Sequence, residues 1–334
     1  MKVYEIREFG IENLEVAERE IPKAAADEVL VKFHAASLNY RDLMMVNGWY
    51  KPNLKFPLVP LSDGAGEVID VGSAVTRWKI GDRVTPIFMQ GWLEGAVTRE
   101  KARTALGGDL DGCLREFGTF NENGLVRIPE HLTYEEASTL PCAAVTAWNA
   151  LKECFDVKEG DTLLTLGTGG VSIFSLQFAK NLDADVIITS SSNQKLELAQ
   201  TLGARYFINY AAVPDWDKEV LEITKNVGAD YVVEVGGAGT IRSSLNSVKY
   251  GGKIAVIGVL SGKGEIDPIS ILMKAAQLQG IFVGSRKMFE EMNVFLGKHF
   301  IKPVVNRVFG FTEAKDALRY MESGAHFGKI VISF

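Results

Sequence analysis

Leu163-Leu164-Thr165-Leu166-Gly167-Thr168-Gly169-Gly170-Val171-Ser172 passes from an apolar run into a segment whose Val171, Phe174, Phe178 and Leu182 share one helical face. Glycines between a strand and a helix permit a tight turn and let backbone approach a bound group. The helix start adds amide donors and the positive end of its dipole. That chemistry suits a pyrophosphate, and Gly167, Gly169, Gly170 and Val171 are the candidate contacts. Ser172 stands where the third glycine of the dinucleotide fingerprint would be, which is expected to loosen helix–strand packing slightly. The next apolar run ends in Ile188-Thr189-Ser190-Ser191-Ser192-Asn193-Gln194-Lys195. An NAD site generally places a carboxylate about 20 residues after the first glycine, yet none occurs here before Glu197. Hydroxyls and an ammonium accept a 2′-phosphate that an acid would repel. Ser190, Ser191 and Lys195 therefore predict NADPH, with NADH as the alternative. The competing reading of the same three residues is a cap and solvated face of the next helix.

The elements that would carry this turn alternate strictly. Strands are predicted at 162–166, 185–189, 206–209, 231–235, 253–258 and 280–284, with helices at 171–182 and 193–202 among the intervening segments. Gly203 ends the second of these helices in a position suited to a left-handed cap. Six such units predict a doubly wound parallel sheet. Thr133-Tyr134-Glu135-Glu136 reads as a capping box opening a helix. Before residue 127 the pattern is different. Val29, Val31 and Phe33 alternate at period two, and Gly81-Asp82 and Asp111-Gly112 mark turns, so this part is predicted to be mostly β. The stretch from 287 to 334 holds an amphipathic helix at 312–322 and a terminal strand at 329–334, and is expected to fold back on the first part. The expected domains are thus 1–127 with 287–334, and 128–286.

A chain of 334 residues corresponds to roughly two domains. Its 47% hydrophobic and 23% charged residues are those of a globular protein, and 42 acidic against 36 basic residues work against binding nucleic acid or an acidic membrane. MKVYEIREFG has no apolar core of signal-peptide length, and no apolar run reaches membrane-spanning length. Three cysteines (Cys113, Cys142, Cys154) are too few for a disulfide framework. A cytoplasmic location is expected.

Asn39-Tyr40-Arg41-Asp42, the run Gly64 to Gly72, Lys79-Ile80-Gly81-Asp82-Arg83-Val84, the run Leu140 to Trp148 and the turn at Gly167 together resemble the medium-chain dehydrogenase/reductases, in particular their zinc-independent quinone oxidoreductase branch of the zeta-crystallin type. The resemblance covers essentially the whole chain. It implies a GroES-like, mostly-β catalytic domain, a six-stranded Rossmann cofactor domain and an active site in the cleft between them. It implies a homodimer paired through the sixth strands, and cofactor contacts from Thr146 and Tyr210. Gly258 and Val259 after the fifth strand, and Val283, Gly284 and Ser285 after the sixth, are expected at the ligand crevice, where strand ends lie in this fold.

The same resemblance addresses metal. The zinc-dependent relatives have a cysteine where this chain has Asn39 and a His-Glu pair where it has Ser62-Asp63, and only Cys142 matches a ligand. One thiol does not hold a catalytic zinc, which takes three protein ligands. The loop from Trp92 to Phe117, where a structural zinc would need four cysteines, has only Cys113. No metal is expected. Cys142 itself reads as a small core residue. Without a Lewis acid, simple ketones lose their main electrophile, so quinones or α,β-unsaturated carbonyls are the expected small-molecule substrates. By the resemblance, Tyr50 is the candidate proton donor and Asn39 a candidate amide donor to the substrate oxygen. Lys329 has the reach for a phosphate, with an exposed lysine on a terminal strand as the simpler reading. Two alternatives remain open: an alcohol dehydrogenase recruiting metal through Cys142 and Asp63, and a non-catalytic NADPH-binding protein.

Overall fold

Val29, Val31 and Phe33 lie buried in the middle of the strand Glu28–Ser37, with Lys32 exposed between them, in the computed structural model, which describes residues 1–334 other than Val259, Ser261 and Lys263. The chain forms two units, Met1–Val145 with Val283–Phe334, and Thr146–Phe282. The first begins with β1 (Lys2–Ile6), β2 (Leu14–Glu18), β3 (Glu28–Ser37), β4 (Asp63–Val71), β5 (Arg83–Pro86), β6 (Phe117–Asn121) and β7 (Leu125–Arg127). The second holds β8 (Thr162–Thr165), β9 (Asp185–Ser190), β10 (Tyr206–Asn209), β11 (Ala229–Glu234), β12 (Val248–Val256) and β13 (Gln277–Gly280). β14 (Val305–Gly310) and β15 (Lys329–Ser333) return to the first.

In the first unit the sheet order is β14-β15-β3-β4-β5-β7, with β6 also paired to β3 and β1-β2 forming a separate ribbon. β3 and β4 are antiparallel with register shifts at Leu30/Val31 and Phe33/Ala35. Leu30, Ala35 and Ala36 are buried as well, so burial does not alternate strictly along β3, and the bulges fall at these places. The core gathers Val29, Val31 and Phe33 with Leu43, Val68, Leu318 and Ile330. The capping box at Thr133 forms as expected, Thr133 Oγ1 accepting from Glu136 N (3.2 Å) and Glu136 Oε2 from Thr133 N (2.9 Å). The helix it opens, Tyr134–Ser138, packs on β3 and β4. That packing moves the expected division at 127/128 to 145/146.

The second unit is a parallel sheet in the order β10-β9-β8-β11-β12-β13. Strand order reverses between β8 and β11, the topological switch point at which such sheets bind ligands. Leu164, Ile187, Val232 and Ile254 form its buried centre.

Two expectations need correction. The sixth strand is Gln277–Gly280 rather than 280–284; beyond it Ile281 makes one further bond to Val256 O (3.0 Å) before Val283 turns to φ 58°. The last stretch also contains a second helix, Arg286–His299, and the strand β14. That helix buries Phe289, Met292 and Leu296, a stripe at helical spacing that the amphipathic pattern near the C-terminus overshadowed. Among the described residues no helix is long and apolar enough to cross a membrane.

Candidate functional site

The glycine turn sits at the carboxyl end of β8. Gly167 has φ 71°, a conformation that L side chains rarely adopt, and its N–H donates to Thr189 Oγ1 at 3.2 Å. A Cβ added at Gly167 or Gly169 would meet nothing within 4 Å. These glycines therefore keep a space clear that the protein itself does not fill. Gly169 caps the helix Gly170–Lys180. Ser172, expected to loosen packing, instead ties helix to strand: it is buried and donates to Leu166 O at 2.6 Å.

The end of β9 lies beside this turn. Ser190 is buried; its Oγ accepts from Ser192 N (3.3 Å) and its carbonyl from Tyr210 N (3.0 Å), so Ser190 and Tyr210 are neighbours. Ser192 caps the helix Asn193–Thr201 by accepting from Lys195 N at 3.4 Å. The capping role thus falls to Ser192, leaving Ser191 exposed and Lys195 in the first turn, its pKa lowered by burial. Gly258 is fixed by backbone packing. A Cβ there would fall 1.6 Å from Val235 O, so glycine is required for backbone packing. Val259 lies outside the described residues. Thr146 is buried at the start of the second unit. Val283, Gly284 and Ser285 do not close a strand; they lie in the first unit, where Ser285 caps Arg286–His299 by accepting from Met288 N at 3.3 Å.

The first unit holds a dense buried polar cluster. Asn39 precedes the helix Tyr40–Val46, and its N–H donates to Asp42 Oδ2 at 2.8 Å. Its Nδ2 donates to Ser62 Oγ (3.3 Å), Ser62 Oγ to Asp63 Oδ1 (2.7 Å), and Cys142 N to Asp63 Oδ2 (3.2 Å). Lys329, only 3% exposed, donates from Nζ to Leu38 O and to Asn39 Oδ1, each at 2.6 Å, and lies 4.0 Å from Asp63 Oδ2. This corrects the exposed terminal-strand reading. β15 pairs with β3, Leu38 N donating to Ile330 O at 3.0 Å, and that pairing carries the lysine inward. Burial raises the Asp42 pKa to about 6, with Arg41 opposing and Asp63 adding to the rise. Burial likewise raises Asp63, against the pull of Lys329. The Cys142 thiol is pushed up by burial and by Asp63, which keeps it protonated. Tyr50 is 46% exposed, with the Arg41 guanidinium 5.9 Å from its ring centre. Arg41 is itself held by Leu106 O at 2.8 Å and Asp42 Oδ1 at 3.3 Å. Asn39 and Tyr50 thus both border the Arg41–Asp42 pair.

The alcohol dehydrogenase GroES-like domain family matches residues 25–130, and the zinc-binding dehydrogenase family matches 170–298. The zinc-type alcohol dehydrogenase-like protein C1773.06c of Schizosaccharomyces pombe is 44% identical over 332 residues, covering 97% of this chain and 96% of that protein. This chain belongs to the medium-chain dehydrogenase/reductase superfamily. As a member it is an NAD(P)H-dependent oxidoreductase. A crystal structure of an NAD-dependent alcohol dehydrogenase matches with TM-score 0.91 and 32% identity, each chain covered in full. A quinone oxidoreductase from Pseudomonas syringae pv. Tomato DC3000 matches with TM-score 0.85 and 25% identity over 100% of this chain and 99% of that one.

Two residues of this medium-chain dehydrogenase/reductase were missed by sequence reasoning. Lys329 carried a weak signal, a lysine heading an alternating apolar strand directly after Gly328. Glu234 carried none. At the end of β11 it is fully buried and accepts from Gly236 N (2.7 Å), Gly237 N (2.9 Å) and Thr240 Oγ1 (2.6 Å), with Ser244 Oγ also bonded. It clamps the loop that follows the switch-point strand.

Proposed function

We propose that this protein transfers hydride from NADPH to a quinone or an α,β-unsaturated carbonyl, without zinc. The observation that carries the reading is the donor set around Asn39. A catalytic zinc takes three anionic or imidazole ligands. Here an amide and a hydroxyl stand with the single thiol of Cys142 beside Asp63, and the Lys329 ammonium lies 4.0 Å from that aspartate. A divalent cation does not fit such a set, because it would face a fixed positive charge with one carboxylate to share.

The second unit does fit a nicotinamide dinucleotide: Gly167 and Gly169 hold open a space that a single Cβ would enter. Gly170 and Val171 offer amides to the pyrophosphate, and Ser190, Ser191, Lys195 and Tyr210 border the place of the 2′-phosphate. Absence of a carboxylate there favours NADPH over the NAD named for one structural relative. Thr146 is assigned to the nicotinamide side. Bound NADPH supplies the hydride. Tyr50, exposed enough to meet a substrate, delivers the proton to the α carbon, and Asn39 uses its second amide hydrogen toward the substrate oxygen. An acceptor that spreads charge itself needs no metal to stabilise an alkoxide. The expected homodimer would use β13, which is an open edge of its sheet.

Following NADPH absorbance with menadione and acrolein, with and without EDTA, tests the reading. Turnover of either acceptor unaffected by EDTA is expected. Oxidation of simple alcohols that EDTA abolishes would replace it with the alcohol dehydrogenase reading, which the names of two relatives favour.

A further inference from the structure

Lys329 is the one described lysine that is almost wholly buried, and no part of the expected chemistry uses it. Burying an ammonium is costly unless it is paired and hydrogen-bonded. The chain invests in holding it there. Gly328 turns at φ 74°, where a Cβ would lie 2.5 Å from Val304 O, and Lys329 N donates to Val304 O at 2.9 Å. The side chain then reaches two carbonyl oxygens, Leu38 O and Asn39 Oδ1, rather than closing directly on a carboxylate.

Bonding to Asn39 Oδ1 has a chemical consequence. An ammonium has donors only, so it demands the amide oxygen and turns Nδ2 the other way, toward Ser62. Ser62, whose own hydroxyl proton goes to Asp63 Oδ1, asks the same of Nδ2, so the cation and the hydroxyl hold opposite ends of one amide. The charges near the ammonium are Asp63, 4.0 Å away, and Asp42 and Arg41, which pair with each other. The lysine therefore brings a positive charge to the positions at which the resemblance puts metal ligands: Asn39, Ser62-Asp63 and Cys142.

We propose that Lys329 is a positioning residue for the reaction: its ammonium fixes the donor direction of the Asn39 amide and takes the place of a divalent cation in that cluster. This rests on the zinc-free reading above. The ammonium does not touch the substrate; it acts through Asn39. A structural lysine would only neutralise Asp63, and the two roles separate experimentally.

The test compares Lys329→Met with the charge-balanced double variant Lys329→Met/Asp63→Asn, using menadione and NADPH. Lys329→Met is expected to lower kcat at least about tenfold with the NADPH KM within about twofold, since one preorganised donor is typically worth more than that. The double variant is expected to regain the wild-type melting temperature but not kcat. Recovery of kcat along with stability would overturn the proposal, and so would a raised NADPH KM at unchanged kcat. Zinc titration by calorimetry gives a readout independent of turnover. Lys329→Met is expected to bind zinc more tightly than the wild type, and no difference between them overturns the proposal. If the wild type reduces neither menadione nor acrolein, the reductase reading fails, while the titration still decides the role of the lysine.

Discussion

The two candidate sites of this protein are built in opposite ways. At the glycine turn of the second unit, backbone atoms and empty space dominate; Gly167 and Gly169 have nothing within 4 Å of where their Cβ would be. In the first unit, side chains fill the space, and Asp42, Asp63 and Lys329 are nearly or wholly buried and linked through Asn39 and Ser62. An open turn gains its energy when a ligand arrives. A buried charge cluster spends energy on the fold itself and keeps a fixed geometry in return. The first should be sensitive to what occupies it, and the second to any loss of balance.

The sharpest way to break that contrast is to unbalance the cluster. Asp63→Ala leaves Lys329 without its carboxylate and should cost about 3–5 kcal/mol of stability, the usual penalty for stranding a buried charge; urea unfolding measures it. A pH series examines the same cluster more gently. The folded pKa of Asp42, about 6, lies above its ordinary 3.8, so its stabilising contribution is complete below pH 3.8 and disappears as pH rises through about 6. Wild-type protein should lose about 3 kcal/mol more than Asp42→Asn between about pH 4 and pH 7, since each pKa unit is worth 1.36 kcal/mol. Equal slopes in urea midpoint against pH would show that Asp42 is not strained by burial.

The turn should answer in the reverse sense. Gly169→Val has room in the free protein, so the melting temperature should hold while NADPH affinity falls about a hundredfold, roughly 2.7 kcal/mol. A parallel loss of stability would mean that the turn, too, is spent on the fold. Tyr50→Phe should lower kcat for acrolein about tenfold or more, within the range for a general acid, with cofactor affinity unchanged. Lys195→Ala should raise the KM for NADPH by about tenfold, near 1.4 kcal/mol, and that for NADH far less. Equal effects on both cofactors would remove the 2′-phosphate from its role.

What the sequence shows follows the same division. The turn is a local pattern: strand, glycines and helix lie within ten residues, and short-range periodicity is enough to place them. The parallel class of the six-stranded sheet was equally legible, because each strand is separated from the next by its own helix. The cluster is not local. Lys329 bonds Leu38 and Asn39 from 291 and 290 positions away, and its burial depends on β15 pairing with β3. No pattern around residue 329 states that pairing. Ser172 shows a smaller failure of the same kind. A departure from the glycine fingerprint reads as a defect until its hydroxyl is seen bonded to Leu166 O. Likewise the sixth strand was set too late because Ile281, Val283 and the turn into Ser285 continue its apolar character beyond its pairing.

In the proposed mechanism a lysine stands where a metal would otherwise act. Metal content and menadione reductase activity, determined on one preparation never exposed to added zinc, test it most directly. Full NADPH-driven turnover with zinc far below one equivalent per chain is expected. Activity that scales with bound zinc and vanishes when the zinc is removed would contradict it.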